Sequence, residues 1–163
     1  MNWKMSRSAD FIVIGVAAAL FSFFGSPSHR ALAQGAPASV IGTWNGDSLC
    51  VGDRPACKNE DVVYTFESVP GKPEVTTLWA DKIIEGKRVP MYTLEFKYDR
   101  QSATLSSEFT RRQTHGLWQY TVNGDTMEGS LVLLPDKSIV RRVNVKRVTA
   151  DQVPAAPNRE SYK

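Results

Sequence analysis

Between residues 40 and 148 apolar and polar side chains alternate with a period of two, the repeat of a strand that buries one face. Residues 40–49 make the first such stretch. Residues 61–67 make the second, where Val62, Tyr64 and Phe66 alternate with Val63, Thr65 and Glu67. Residues 74–84, rich in Val, Thr, Leu, Trp and Ile, read as the third. In 89–98 Tyr92, Leu94, Phe96 and Tyr98 share a face; in 103–110 Ala103, Leu105 and Phe109 do. The sixth stretch gathers Gly116, Trp118, Tyr120 and Val122, and the seventh Met127, Gly129, Leu131 and Leu133. Residues 138–148 are the eighth, with Ile139, Val143, Val145 and Arg147 on one side and Arg142, Asn144 and Lys146 on the other.

The breaks carry turn chemistry. Pro70-Gly71-Lys72-Pro73 cannot continue a ladder, and Asn123-Gly124-Asp125 accepts the positive φ of a tight hairpin. Glu85-Gly86-Lys87, Asp99-Arg100-Gln101 and Pro135-Asp136-Lys137 reverse the chain in the same way. Eight strands joined by short turns form a meander, and such a sheet either doubles into a sandwich or closes. Closure removes the exposed edges and suits eight strands. The expected fold is therefore all-β, an eight-stranded antiparallel up-and-down barrel over residues 40–148 in a single domain.

The start of the chain stands apart. Lys4 and Arg7 precede an apolar run from Phe11 to Phe24, and Ala31-Leu32-Ala33 supplies a small-x-small cleavage pattern. The run is shorter than the ~20 residues of a membrane span, so residues 1–33 read as a cleaved secretory signal rather than an anchor. Residues 34–39 read as a loose arm, and the Pro-, Ala- and Asn-rich residues 149–163 as a disordered tail. The full chain has a formal charge of +3; residues 1–33 hold Lys4, Arg7 and Arg30 against Asp10, so +1 remains without them. That is too weak a field for sequence-independent nucleic-acid binding, and no nucleic-acid partner is expected. Export implies an oxidising compartment, a bacterial periplasm or the outside, in which Cys50 and Cys57 are expected to form a disulfide.

Gly42, Trp44 and Arg147, set in eight meandering strands, resemble the lipocalin-like (calycin) barrels. The resemblance implies that Trp44 sits at the closed end of the barrel and that Arg147 packs across it. It covers residues 40–148 in architecture and three positions in identity. Gly42-Thr43-Trp44-Asn45-Gly46 also partly resembles the opening of nitrobindin-like haem barrels, with Ser48 where that pattern has a further Gly. Fatty-acid-binding barrels use an inward Arg of the last strand to hold a carboxylate, usually with a Tyr two residues on; here Arg141 is followed by Val143.

By phase Arg141 points inward, where a charge must be paired. It reads either as the anchor of an anionic ligand end or as half of an internal ion pair with a carboxylate such as Asp81, unless a bulge turns it outward. Trp79, Trp118, Tyr120, Tyr92, Phe96 and Phe109 are the candidate pocket lining, or else the filling of a solid barrel. His115, the only histidine beyond residue 33, shares its phase with Leu117, Gln119 and Thr121 and is expected outside, away from any haem. No Gly-x-Ser-x-Gly, His-Glu-x-x-His, P-loop or dinucleotide fingerprint occurs. The expected function is non-enzymatic binding of a small hydrophobic or amphipathic molecule in the lumen, with no cofactor and no lasting membrane insertion. The alternative is a packed barrel serving as a structural or envelope-interaction module, and third a haem-binding or enzymatic barrel.

Overall fold

A computed structural model describes residues 39–162. The signal assigned to 1–33 and all of the assigned arm except Ser39 lie outside the described residues. The strands are β1 (Gly42–Cys50), β2 (Glu60–Val69), β3 (Lys72–Ile84), β4 (Lys87–Asp99), β5 (Thr104–Arg111), β6 (Thr114–Asn123), β7 (Thr126–Leu133) and β8 (Ser138–Val148). Each pairs antiparallel with its chain neighbour, and β1 pairs with β8 to close the ring. The result is a closed up-and-down barrel, lipocalin-like in architecture.

The lower end, where the chain enters β1, is shut by the residues that carried the resemblance. Trp44 lies directly opposite Arg147 in the β1–β8 ladder. Its ring is fully buried, its Nε1 donates to the Val40 carbonyl at 2.9 Å, and the Arg147 guanidinium stacks 4.2 Å from the ring centroid. Arg147 also donates to the carbonyls of Ile41 (2.8 Å) and Ser39 and to Asp125 Oδ1 (3.0 Å), so one side chain ties the entering chain to the β6–β7 turn. A cation over an indole contributes about 0.5–2 kcal/mol, and the carbonyl bonds add to it.

Above that plug the inward faces interlock. Tyr120 sits edge-on to Tyr64 (6.2 Å) and Phe66 (6.4 Å), tilted against Phe96 (5.5 Å), and stacked with Trp118 (5.8 Å). Val62, Leu78, Ala80, Leu105, Met127, Val143 and Val145 fill the gaps between the rings, and all are buried. Gly129 and Gly116 make room for this packing: a Cβ at Gly129 would stand 2.1 Å from Tyr120 Cδ1, and one at Gly116 would stand 2.8 Å from Phe109 Cζ.

Besides a register shift at Ser68–Val69 beside the β2–β3 turn, three features interrupt the regular ladders. The β7–β8 register shifts between Leu131 and Val132, leaving Val140 without an opposite residue. A β-bulge of this kind brings consecutive residues to one face. Val140 is buried in consequence and Ile139 is exposed, so Ile139 does not share the inner face as its phase suggested. Another shift, between Ala80 and Asp81, skips Met91 on β4. Finally, β4 and β5 pair only through Lys97–Ser106, Tyr98–Leu105 and Asp99–Thr104. Above Lys97 and Ser106 the two strands have no ladder between them, and this upper seam is the weakest join in the ring.

The disordered tail expected at 149–163 needs correction over its described part. Two short 3-10 turns, η1 (Ala150–Gln152) and η2 (Arg159–Ser161), lead to Tyr162, which packs on the outside of β3. Its ring lies 4.9 Å from that of Trp79 and its hydroxyl donates to Asp81 Oδ1. Composition alone misses this because two side chains, Arg159 and Tyr162, supply the contacts in an otherwise small and polar segment.

Candidate functional site

Arg141, Tyr92, Trp118 and Phe109 lie towards the upper end of the barrel, Phe96 and Tyr120 in its filled middle, and Trp79 outside. β4 and β6 bring Tyr92 and Trp118 within 6.3 Å, nearly parallel, and Trp118 stacks on Tyr120 in turn. Phe109 reaches in from β5 over Gly116, and Phe96 lies deeper, fully buried. Met91, Tyr92, Leu94, Phe109 and Leu131 are partly exposed and pack against the buried core around the seam. Leu78 and Ala80 take the inward phase and are fully buried, which turns Trp79 to the outer wall, where its Nε1 donates to Glu67 Oε2 at 2.9 Å. It is not a lining residue.

Arg141 faces inward beside the bulge, and its charge is already engaged. Its Nη1 donates to Glu60 Oε2 at 2.7 Å and its Nη2 to the Lys58 carbonyl. Glu60 also meets Lys82 at 3.7 Å, so two cations share one carboxylate and the trio keeps one positive charge. The internal partner is therefore Glu60 at the head of β2. Asp81 instead receives Arg88 Nε at 2.8 Å on the outer wall, where both side chains are almost wholly buried. Glu60 lies 81 positions from Arg141, and only closure of the ring brings it near.

Next to this trio lies a group of hydroxyls: Ser48, Tyr64, Tyr92 and Tyr120. Burial pushes the Tyr64 phenol above its ordinary value, with the neighbouring hydroxyls and the Arg141 guanidinium pulling the other way. Burial drives Tyr92 and Tyr120 well above theirs; the other phenols add to the rise and Arg141 opposes it. All three are thus neutral donors across the physiological range. One polar atom here, Arg141 Nε, is buried without a hydrogen-bond partner among the described residues, while the buried Tyr120 hydroxyl interacts with the Tyr64 phenol.

The remaining chemistry is sparse. Cys50 and Cys57 are joined (S–S 1.98 Å), which holds the β1–β2 loop across the upper end, and Asn59 Oδ1 accepts from the Cys50 amide at 2.8 Å. His115 lies on the outer surface, 2.6 Å from Glu108 Oε1. Among the described residues no group of three or more His, Cys, Asp or Glu is arranged to hold a metal ion, and no helix is long and apolar enough to cross a membrane. A cleft of about 200 Å³ opens at the lower rim between Val40, Val69, Val75, Thr76 and Tyr98, beside the Trp44–Arg147 plug and at the opposite end from Arg141.

Phase alone placed Arg141, Trp118, Tyr120, Tyr92, Phe96 and Phe109 on the inner face. It missed Glu60 and Ser48, and it offered Asp81 as a partner of Arg141 where the structure pairs Asp81 with Arg88. Comparison with family descriptions, with curated proteins and with solved structures finds no match to this chain, and its relationship to the lipocalin-like barrels is one of architecture.

Proposed function

We propose that this is an exported, non-enzymatic binding barrel that takes a small apolar or amphipathic molecule at its upper seam rather than in a hollow lumen. The observation that carries this reading is the β4–β5 junction, three rungs long, with Met91, Tyr92, Leu94 and Phe109 only partly covered beside it. An apolar body laid between these side chains would complete their burial, at about 25 cal/mol per Å² covered. The polar end would point to the hydroxyl group and the Arg141 trio, where the buried Arg141 Nε lacks a partner and one net positive charge favours an anion. The leader pattern of residues 1–33 and the disulfide support export.

The test is native mass spectrometry of the exported chain, together with titration by 1-anilinonaphthalene-8-sulfonate, an anionic apolar probe. We expect a retained small molecule or a saturable rise in probe emission, weakened at least tenfold in Phe109→Ser and in Arg141→Gln. Bare protein with no saturable probe binding would overturn the reading. The filled middle of the barrel, where Phe66, Phe96 and Tyr120 meet, would then favour the second reading, a closed interaction module.

A further inference from the structure

Val63 and Asp81 face outward by phase, yet both are 0% exposed. Only a layer outside the barrel can bury them, and the C-terminal segment forms part of that layer. In a 3-10 turn residues three apart lie on one side, so η2 presents Arg159 and Tyr162 together to the wall. Arg159 stacks over Trp79 (4.1 Å) and pairs with Glu67, which also accepts the Trp79 indole N–H. Tyr162 donates to one oxygen of Asp81 while Arg88 binds the other, and Arg88 Nη2 reaches Thr65 Oγ1 at 3.3 Å. Two tail residues thus join side chains from β2 (Thr65, Glu67), β3 (Trp79, Asp81) and β4 (Arg88).

The position of this join matters. Arg88 is the second residue of β4 and the register shift at Met91 follows it, so the pinned stretch is the part of β4 that has no β5 partner. On one side that stretch has the β3 ladder; the Asp81–Arg88 pair is its further hold on the wall. We propose that the outer face of β2–β4 is a docking site for the C-terminal segment and that docking latches the free upper half of β4, one lip of the seam. With the segment seated, the lip is held. With it displaced, Asp81 and Arg88 meet water, and the β3–β4 hairpin gains freedom where the seam would have to widen. The biological meaning of the latch rests on reading the seam as a binding site, but its mechanics do not.

Hydrogen–deuterium exchange on the full chain tests it, comparing the unaltered protein with Tyr162→Ala, Tyr162→Phe and Arg159→Ala. We expect Tyr162→Ala to speed exchange of the amides of residues 87–95 at least tenfold and to leave β6, β7 and β8 unchanged. Tyr162→Phe, which keeps the ring and loses the donor, should give a smaller rise over the same residues, and Arg159→Ala a rise confined to β2–β4. Unchanged exchange over 87–95, or an equal rise around the whole barrel, would overturn the latch. Faster lip exchange in a protein that binds no probe would sustain the latch while removing the seam reading. Probe binding with an unmoved lip would do the reverse.

Discussion

A methyl group added at Gly46 would stand 2.2 Å from the Asn144 carbonyl oxygen, and the obstruction is backbone that cannot rotate away. The β1–β8 ladder would have to part at its centre. Gly46→Ala is expected to cost at least ~3 kcal/mol, at the upper end of overpacking penalties, whereas Gly71→Ala, at φ 75° with open space around it, should cost ~1 kcal/mol. Urea denaturation of the two variants checks the difference. Tyrosines give a second expectation at this scale. Tyr64, Tyr92, Tyr120 and Tyr162 all have folded values above the ordinary phenol value of 10.0, Tyr162 through burial and its bond to Asp81. The fold therefore favours their neutral forms. Their contribution to stability is complete below the unfolded value, about pH 10, and is lost as pH rises through the raised folded values. Alkaline titration followed at 295 nm should show these phenols ionising together with unfolding rather than before it. Ordinary ionisation of all of them near pH 10 in the folded protein would contradict their burial.

At the scale of elements, the β1–β2 connection is the one long loop between strands, and the disulfide holds it. Reduction, or Cys50→Ser with Cys57→Ser, is expected to lower stability by ~2–3 kcal/mol through the unfolded chain. It should also loosen Arg141, because Lys58, whose carbonyl accepts from it, sits in that loop. Thermal melts with and without reductant would register the loss. How far these elements were legible follows from the range of the forces that form them. Alternation and turn residues act locally, so strands such as 61–67 and 138–148 stand out in the sequence to within a residue or two. The bulge at Val140 does not, because nothing local distinguishes it from the alternation around it. Nor does the partner of Arg141, which depends on closure of the ring. The seating of Tyr162 depends on an outward Trp79, and Trp79 looked like lumen lining because its strand is apolar on both faces. Its position between Leu78 and Ala80, each small enough to fit inward, was the signal available.

At the scale of the whole molecule the ring is wound in chain order. Seven of its joins link consecutive strands and one, β1 to β8, links the two ends of the barrel. Seams between consecutive strands close short loops at small entropic cost, while the last must gather nearly the whole barrel sequence before it gains anything. Trp44 and Arg147 stand on that last seam, each on its own strand, and meet only when the circle is complete. Their stacking is thus a reward withheld until the end of folding. A chain that stalls just short of it would keep its hairpins and present two raw strand edges, the form in which this barrel would pair with its neighbours instead of itself.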